Sequence, residues 1–389
     1  MLKTIKMTTT LFLQSDVQDP YDFYKLMLDK NPLYWDEHNK IWGIYSYAYC
    51  VEILQNPEVL IPAVNFNNEQ KLNEHAFGIL TNLTRLSNGI QHTVNREIAN
   101  LLFTNLKSVD IQTMLSQLIK NNLIENKIDW VNVVSKKLPL LVVLKSFSFK
   151  EDDITFILNK IEALAKIMLP AKSEEEVKLI NEVSETIFSI AEKQLLSLNF
   201  YESVLNKITE SEVLSLDEIK KISISNLIGL FIQSYDAGRG LLSNSLLQII
   251  KHKTFSSKTT IEKSVIETLR FDPPIHTTRR IAGADITIGE KIIKERETIL
   301  LVLAAANRDS QKFEEESNFD IERFNNKEHL TFGIGGHECL AKHFSINLAT
   351  EALWFLFNEH KTITLLEHNI TYEPMFNARL PKNIWISIQ

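Results

Sequence analysis

Near its C-terminal end the chain reads Phe332-Gly333-Ile334-Gly335-Gly336-His337-Glu338-Cys339-Leu340-Ala341, and an apolar helical run follows at once. Cys339 stands at the tip of a glycine-rich turn, where a helix is expected to begin. Unpaired backbone N–H groups and the positive end of the helix dipole favour a thiolate there. Gly333, Gly335 and Gly336 let the backbone approach a flat partner and adopt conformations closed to other residues. A thiolate presented this way can serve as an axial ligand to haem iron. A lone cysteine without these neighbours is usually a small buried residue. A phosphate loop is excluded, since neither Lys-Ser nor Lys-Thr follows the glycines.

Other residue pairs carry chemistry only in context. Glu267 and Arg270 are three apart on an expected helix that Asp272-Pro273-Pro274 ends. Taken alone, such a pair is a weak ion pair on an exposed face. His92 and Arg96 are four apart, which puts both on one helix face.

The elements that must position these groups follow from periodicity and punctuation. Asp19-Pro20-Tyr21 opens a helical stretch that ends at Asn31-Pro32. Leu33-Tyr34-Trp35 and Ile41-Trp42-Gly43-Ile44-Tyr45, joined by turn residues Asp36 to Lys40, predict a β-hairpin. From about 105 to 250 apolar residues recur at three and four, as at Ile111, Met114, Leu115 and Leu118. That run is expected to be helical, interrupted at Leu138-Pro139. Strand-like pieces return at Asp285-Ile286-Thr287-Ile288 and Glu297-Thr298-Ile299-Leu300-Leu301-Val302. The tail, Ile384-Trp385-Ile386-Ser387-Ile388, alternates like an edge strand. The fold class is thus mainly α with small peripheral β-sheets. No linker or internal repeat divides the chain, so a single domain over 1–389 is expected.

Composition narrows the class further. The 389 residues are 44% hydrophobic and 23% charged, an ordinary globular balance with enough chain for a large core. Cys50 and Cys339 are too few for a disulfide framework and point to a reducing compartment. A net charge of −7, with no Lys/Arg-rich stripe, argues against nucleic-acid binding. No signal-peptide core and no long apolar run occur, so a cytoplasmic protein without a membrane anchor is expected.

The pattern F-G-x-G-x-H-x-C at 332–339 resembles the haem-binding loop of the cytochrome P450 family. The resemblance runs over nearly the whole chain, from Asp19-Pro20-Tyr21 to the last strand. It implies a cytochrome P450 fold, with a haem core roughly at 210–389 plus the helix around 92–104. It further implies haem b with Cys339 as the metal ligand and Phe332 and Gly333 in the cofactor loop. His92, Arg96, Arg280 and His337 match the cations that hold the haem propionates, where carboxylates need charged donors. Glu267 and Arg270 with Arg323 match the family's buried charge network, a structural role. Asn307-Arg308-Asp309 matches a motif assigned here to fold stability. Within the family the chain looks like the unanchored bacterial type.

The stretch from about Asp217 to His252 resembles the central helix that crosses the distal face of the haem. The family carries an acid and then a threonine there, which relay protons during oxygen activation. Aligned on Leu241-Leu242-Ser243-Asn244, this chain offers Gln233-Ser234-Tyr235-Asp236-Ala237-Gly238-Arg239-Gly240. Asp236 fills the acid position, but Ala237 stands where the alcohol belongs. Ser234, a substrate hydroxyl or a water would have to replace it. Arg239 lies two residues, about 200°, around an α-helix from Ala237 and is expected to point away from the haem. Gly238 and Gly240 each weaken the helix by roughly 1 kcal/mol and could widen it. By family position, one pocket wall comes from 61–87, a second from Ile275, His276 and Thr277, a third from Met375-Phe376. Gln233 borders the same space. Phe66, Phe77 and Phe231 are candidates for packing there, with ordinary core as the alternative. His276 either faces substrate or is a satisfied surface histidine.

The function these features imply is a haem-thiolate monooxygenase, an oxidoreductase of the EC 1.14 class. It would hydroxylate or otherwise tailor a mid-sized, partly apolar metabolite, free or tethered to a carrier protein. Electrons are expected from a separate ferredoxin or flavodoxin and its reductase, since no flavin or iron–sulfur segment is fused to the chain. Ala237 leaves room for a peroxide-dependent or oxidative-coupling enzyme. A non-catalytic scaffold for a protein partner is the remote alternative, and the intact Cys339 loop argues against it.

Overall fold

The computed structural model describes residues 9–63, 71–169, 172–208 and 214–389. The chain divides into two compact units, one comprising 1–60, 111–135 and 237–389, the other 61–110 and 136–236.

All strands among the described residues belong to the first unit: β1 (Leu33–Asp36), β2 (Ile41–Ile44), β3 (Val59–Leu60), β4 (Lys127–Asp129), β5 (Thr277–Ala282), β6 (Ile286–Ile288), β7 (Lys291–Ile293), β8 (Thr298–Val302), β9 (Ile363–Leu365) and β10 (Trp385–Ile388). The expected hairpin is present as β1 and β2, and β2 continues into a five-stranded sheet in the order β1-β2-β8-β5-β3. Its β-branched and aliphatic residues pack with the helix Tyr47–Gln55: Ile44, Ile53, Ile299 and Leu301 are wholly buried. The register pairs Arg280 with Ile299, which fixes where that guanidinium leaves the sheet.

The tail departs from expectation. β10 is no edge strand but the centre of a three-stranded sheet, with β4 on one side and β9 on the other. Alternation reports that one face is buried; it carries no information about how many edges are paired. β4 also interrupts the run expected to be helical. The expected interruption at Leu138-Pro139 is present: a new helix, Leu138–Ser146, begins there, with Pro139 in its first turn, where a missing N–H costs nothing.

Three helices of the first unit bear on the site. Tyr21–Lys30 buries Phe23, Tyr24 and Met27 and stops at Asn31 before Pro32. Lys258–Phe271 starts at Ser257, whose side chain accepts from the Thr260 N–H, and stops at Asp272 before Pro273. Lys342–Glu359 buries Leu348, Ala349, Ala352, Leu353 and Leu356, the three-and-four spacing of one apolar stripe.

The named elements of the second unit, among its described residues, are all helices. Glu174–Ser197 and Leu216–Gln233 both begin in capping boxes, Ser173 with Glu176 and Ser215 with Glu218. The buried Asn226 accepts from both the N–H and the hydroxyl of Thr84 and donates to the Asn82 carbonyl, tying Leu216–Gln233 to the approach of the helix Gly89–Thr104. Between Leu216–Gln233 and the helix Arg239–His252, residues Ser234–Gly238 form one π turn, and the unit boundary falls inside it. The mainly helical class with small sheets is therefore what the chain adopts. No helix among the described residues is long and apolar enough to cross a membrane.

Ile386 is wholly buried in β10, while Trp385 keeps 37% of its surface exposed. Ile386→Ala should cost about 2–5 kcal/mol in a urea unfolding titration. Trp385→Ala should cost clearly less; equal losses would contradict the burial of a single face of β10.

Candidate functional site

The Cys339 loop is closed by its own backbone. The Cys339 N–H donates to the Phe332 carbonyl at 2.8 Å, Gly333 N–H to Leu330 at 2.8 Å, and Glu338 N–H to Gly335 at 3.1 Å. Gly333 and Gly335 hold φ of 68° and 74°, so both need glycine. Gly336 does not: its φ is ordinary and a Cβ there would meet nothing. That narrows the sequence expectation to two of the three glycines. The helix also begins later than expected, at Lys342, because Glu338 is extended and Leu340-Ala341 form a turn. Cys339 is half-buried, as are Phe332, Ile334, Leu340 and Phe344. A half-buried cysteine among partly uncovered apolar side chains suits a flat apolar ligand. Among the described residues no three His, Cys, Asp or Glu side chains gather to hold a metal ion.

Beneath the loop lies a fully buried charge network. Both Glu267 and Arg270 have side-chain exposures of 0%. Arg270 donates through Nε to both Glu267 oxygens at 3.0 and 3.1 Å and through Nη2 to Oε1 at 2.6 Å. Its remaining donors reach the carbonyls of Asn307, Glu316 and Asn318. Arg323 adds an ion pair to Glu267 at 3.5 Å and donates to the carbonyls of Glu314, Glu315 and Asn318. The Asp320 N–H completes the carboxylate at 3.1 Å. The network thus holds Lys258–Phe271 against 307–323. Asn307 carries it onward: its Nδ2 donates to Thr331 Oγ1, its Oδ1 accepts from the Leu330 N–H, and Thr331 donates to the Leu269 carbonyl. Asn307 is therefore a direct strut between that helix and the start of the cysteine loop.

The cations lie in both units. In the first, Arg280 is buried on β5, with Nη1 donating to Thr278 Oγ1 and the Arg279 carbonyl, and His337 is half-buried in the short turn Gly335–His337. In the second, His92 and Arg96 sit one turn apart on Gly89–Thr104. His92 Nδ1 lies 3.0 Å from the Thr84 carbonyl, which can only accept, so Nδ1 carries a proton.

Ser234, Asp236 and Ala237 all belong to the π turn, and each is half-buried. Gln233 precedes it and spends its amide on the Gly229 carbonyl at 3.0 Å. Arg239 is buried and forms an ion pair with Glu373 at 3.5 Å.

Two of the expected pocket segments are joined. Ile275 bridges Ala378, and the N–H groups of His276 and Thr277 both donate to the Asn377 carbonyl. Ile275 is half-buried and Phe376 is 47% exposed. His276 and Thr277, by contrast, are buried, His276 completely, so neither forms an open wall. The surface alternative for His276 fails as well. Its Nδ1 meets the Tyr24 hydroxyl at 3.0 Å, and its ring packs against Tyr21 and Tyr24. Phe231 is wholly buried against the Phe149 ring and is core. Phe77 is half-buried, and Phe66 lies outside the described residues.

Sequence reasoning missed His329, which is buried three residues before Phe332 and accepts from the Thr331 N–H. Burial, then the charges of Lys342 and Arg270, push its pKa down to about 3. Burial, with Arg379 and Arg308 nearby, holds His276 well below the usual histidine range. Nothing in the local sequence of either histidine marks it as neutral and enclosed.

The family described as Cytochrome P450 matches residues 245–353, the segment that holds Glu267, Arg270, Arg280, Arg323 and Cys339. A putative cytochrome P450, YjiB, of Bacillus subtilis (strain 168) is 26% identical over 387 residues, covering 92% of this chain and 93% of the relative. Cytochrome P450 119 of Sulfolobus acidocaldarius is 26% identical over 339 residues, 82% of this chain and 86% of its own. Among solved structures, P450BioI in complex with hexadec-9Z-enoic acid ligated acyl carrier protein superposes with a TM-score of 0.82 at 22% identity, over 97% of this chain and 100% of that one.

Glu267→Gln should leave Arg270 and Arg323 buried without a counter-charge and lower the unfolding free energy by about 3–5 kcal/mol. A shift in denaturant midpoint measures it. The two buried histidines set a pH dependence. The unfolded chain takes up protons near the ordinary value of 6.5, while the folded His329 resists protonation down to about 3. Below 6.5 the unfolded state binds more protons, so stability is full above that pH and is lost as pH falls towards 3. Each histidine contributes at most about 1.4 kcal/mol per pH unit. His329→Gln should flatten the slope of urea stability between about pH 6 and about pH 4; an unchanged slope would contradict the assignment.

Proposed function

Since this chain belongs to the cytochrome P450 family and is a haem b monooxygenase, we propose that it oxidises a mid-sized, partly apolar metabolite held beside the half-exposed Cys339. The closed Cys339 loop, with the cysteine half-buried and its glycine conformations fixed, is the observation that carries this reading. Haem b, when bound, supplies the activation of oxygen and the insertion chemistry.

The chain's own residues divide the remaining work. Cys339 is the thiolate ligand, and Phe332 and Gly333 shape the loop around it. His92, Arg96, Arg280 and His337 hold the propionates. Because His92 Nδ1 is already committed to the Thr84 carbonyl, His92 can donate to a carboxylate through Nε2 only as the imidazolium. Glu267, Arg270 and Arg323 brace the loop rather than take part in chemistry. Asp236 passes protons inward, and Ser234, a substrate hydroxyl or a water completes the path that Ala237 leaves open. Gln233, Ile275 and Phe376 border the substrate.

Electrons come from a ferredoxin or flavodoxin with its reductase. The carrier-bound acyl chain in the P450BioI complex supports the same mode of substrate delivery here. A second reading draws on Ala237: hydrogen peroxide brings its own protons and electrons, and with it as oxidant the one-electron coupling of two aryl groups also balances, releasing water.

The carbon monoxide spectrum of the reduced protein tests the ligand assignment. The native chain should give the strongly red-shifted band of a thiolate-bound haem. Cys339→Ala should lose that band and its turnover, and a variant that retained both would falsify the assignment. Comparing turnover driven by reduced ferredoxin with turnover driven by peroxide then separates the two readings.

A further inference from the structure

The turn that carries Phe376 is pinned on every side except its tip. Glu373 donates its N–H to the Leu380 carbonyl at 2.8 Å and accepts from the Met375 N–H at 2.8 Å. The Met375 carbonyl accepts from the Gln14 N–H at 2.9 Å, and the Asn377 carbonyl accepts from His276 and Thr277. Arg379 stacks on the Tyr372 ring at 3.5 Å and donates to the carbonyls of Gln14, Val17 and Gln18. Phe376 stays 47% exposed between these anchors.

The head of Arg239–His252 supplies the charged anchor. Arg239, with 7% side-chain exposure, pairs with Glu373, whose side chain is 24% exposed. One residue on, a Cβ at Gly240 would collide with Leu380 and Pro274 at 2.5 Å, so helix and turn meet with no slack. An ion pair so little exposed is weakly screened, and any change in its length is transmitted to the turn rather than absorbed by space.

We propose that the Arg239–Glu373 pair sets the position of Phe376 and thereby the length of apolar chain the site admits. Both are positioning residues, and the inference rests on the reading above that the Met375-Phe376 turn borders the substrate. It gives Arg239 a role that the missing alcohol at Ala237 does not explain.

The test titrates the purified ferric haem protein with n-alkylimidazoles from butyl to dodecyl, which ligate the iron and place their chains in the pocket. Shifts of the Soret band give affinity against chain length. Glu373→Gln should weaken the best-fitting chain by about tenfold and move the optimum, while imidazole itself and the carbon monoxide band are unchanged. Arg239→Lys, which keeps the pair's charges, should retain an optimum close to native. A Glu373→Gln profile that superimposes on the native one overturns the proposal. Should that variant fail to hold haem, Glu373→Asp has to shift the optimum for the proposal to stand. Phe376→Ala separates the two levels. If it leaves the profile unchanged, the pocket reading fails and takes this inference with it. If it alters the profile and Glu373→Gln does not, only the positioning role fails.

Discussion

A carboxylate with no exposed surface has to be neutralised where it sits, and Glu267 is met there by Arg270, Arg323 and the Asp320 N–H. The cost of burying these charges is offset only because nearly every donor finds a partner, several of them carbonyls of 307–318. That requirement fixes the path of 307–323 around the end of Lys258–Phe271. Through Asn307 and Thr331 it also fixes the start of the cysteine loop. The position of Cys339 is thus a consequence of charge satisfaction some seventy residues earlier in the chain.

A second buried polar region lies between the N-terminal helix and the C-terminal turn. Tyr21 donates to Asp272, which also accepts from Gln248, while Tyr24 meets His276. Arg308 lies over the Tyr21 and Phe271 rings at 3.5 and 3.7 Å and donates to the Phe271 carbonyl. Asn307 and Arg308 therefore serve both regions from adjacent positions. This makes the Asn307-Arg308-Asp309 segment a junction, with Asp309 accepting from the Tyr47 N–H on a third side.

The π turn trades one property for another. Ser234–Gly238 gives up regular α-helical hydrogen bonding, which the glycines at 238 and 240 make less expensive. π turns of this kind recur at functional sites, where a locally wider helix is useful. In this chain the turn combines an acid, Asp236, with a residue, Ala237, that has nothing to donate. Under the proposed reading, proton delivery then depends on what else occupies the space.

Local sequence determined whatever the backbone decides by itself. Gly333 and Gly335 mark left-handed positions, Pro32 and Pro273 stop helices, and Ser-x-x-Glu boxes start them, because sterics and capping act within a few residues. The Cys339 loop and the helical class were legible for that reason. Burial and pairing were not. Glu267 and Arg270 have the spacing of an exposed ion pair, and only the approach of 307–323 makes them a core. β10 alternates whether one edge or both are paired, and β4 and β9 come from distant parts of the chain. His276 and His329 are held neutral by burial first, then by the charges of Arg379 and Arg308 on one and of Lys342 and Arg270 on the other, none of which is a sequence neighbour. Arg239 found Glu373 across 134 residues. Desolvation and charge depend on what packs against a residue, and that is decided when the chain closes on itself.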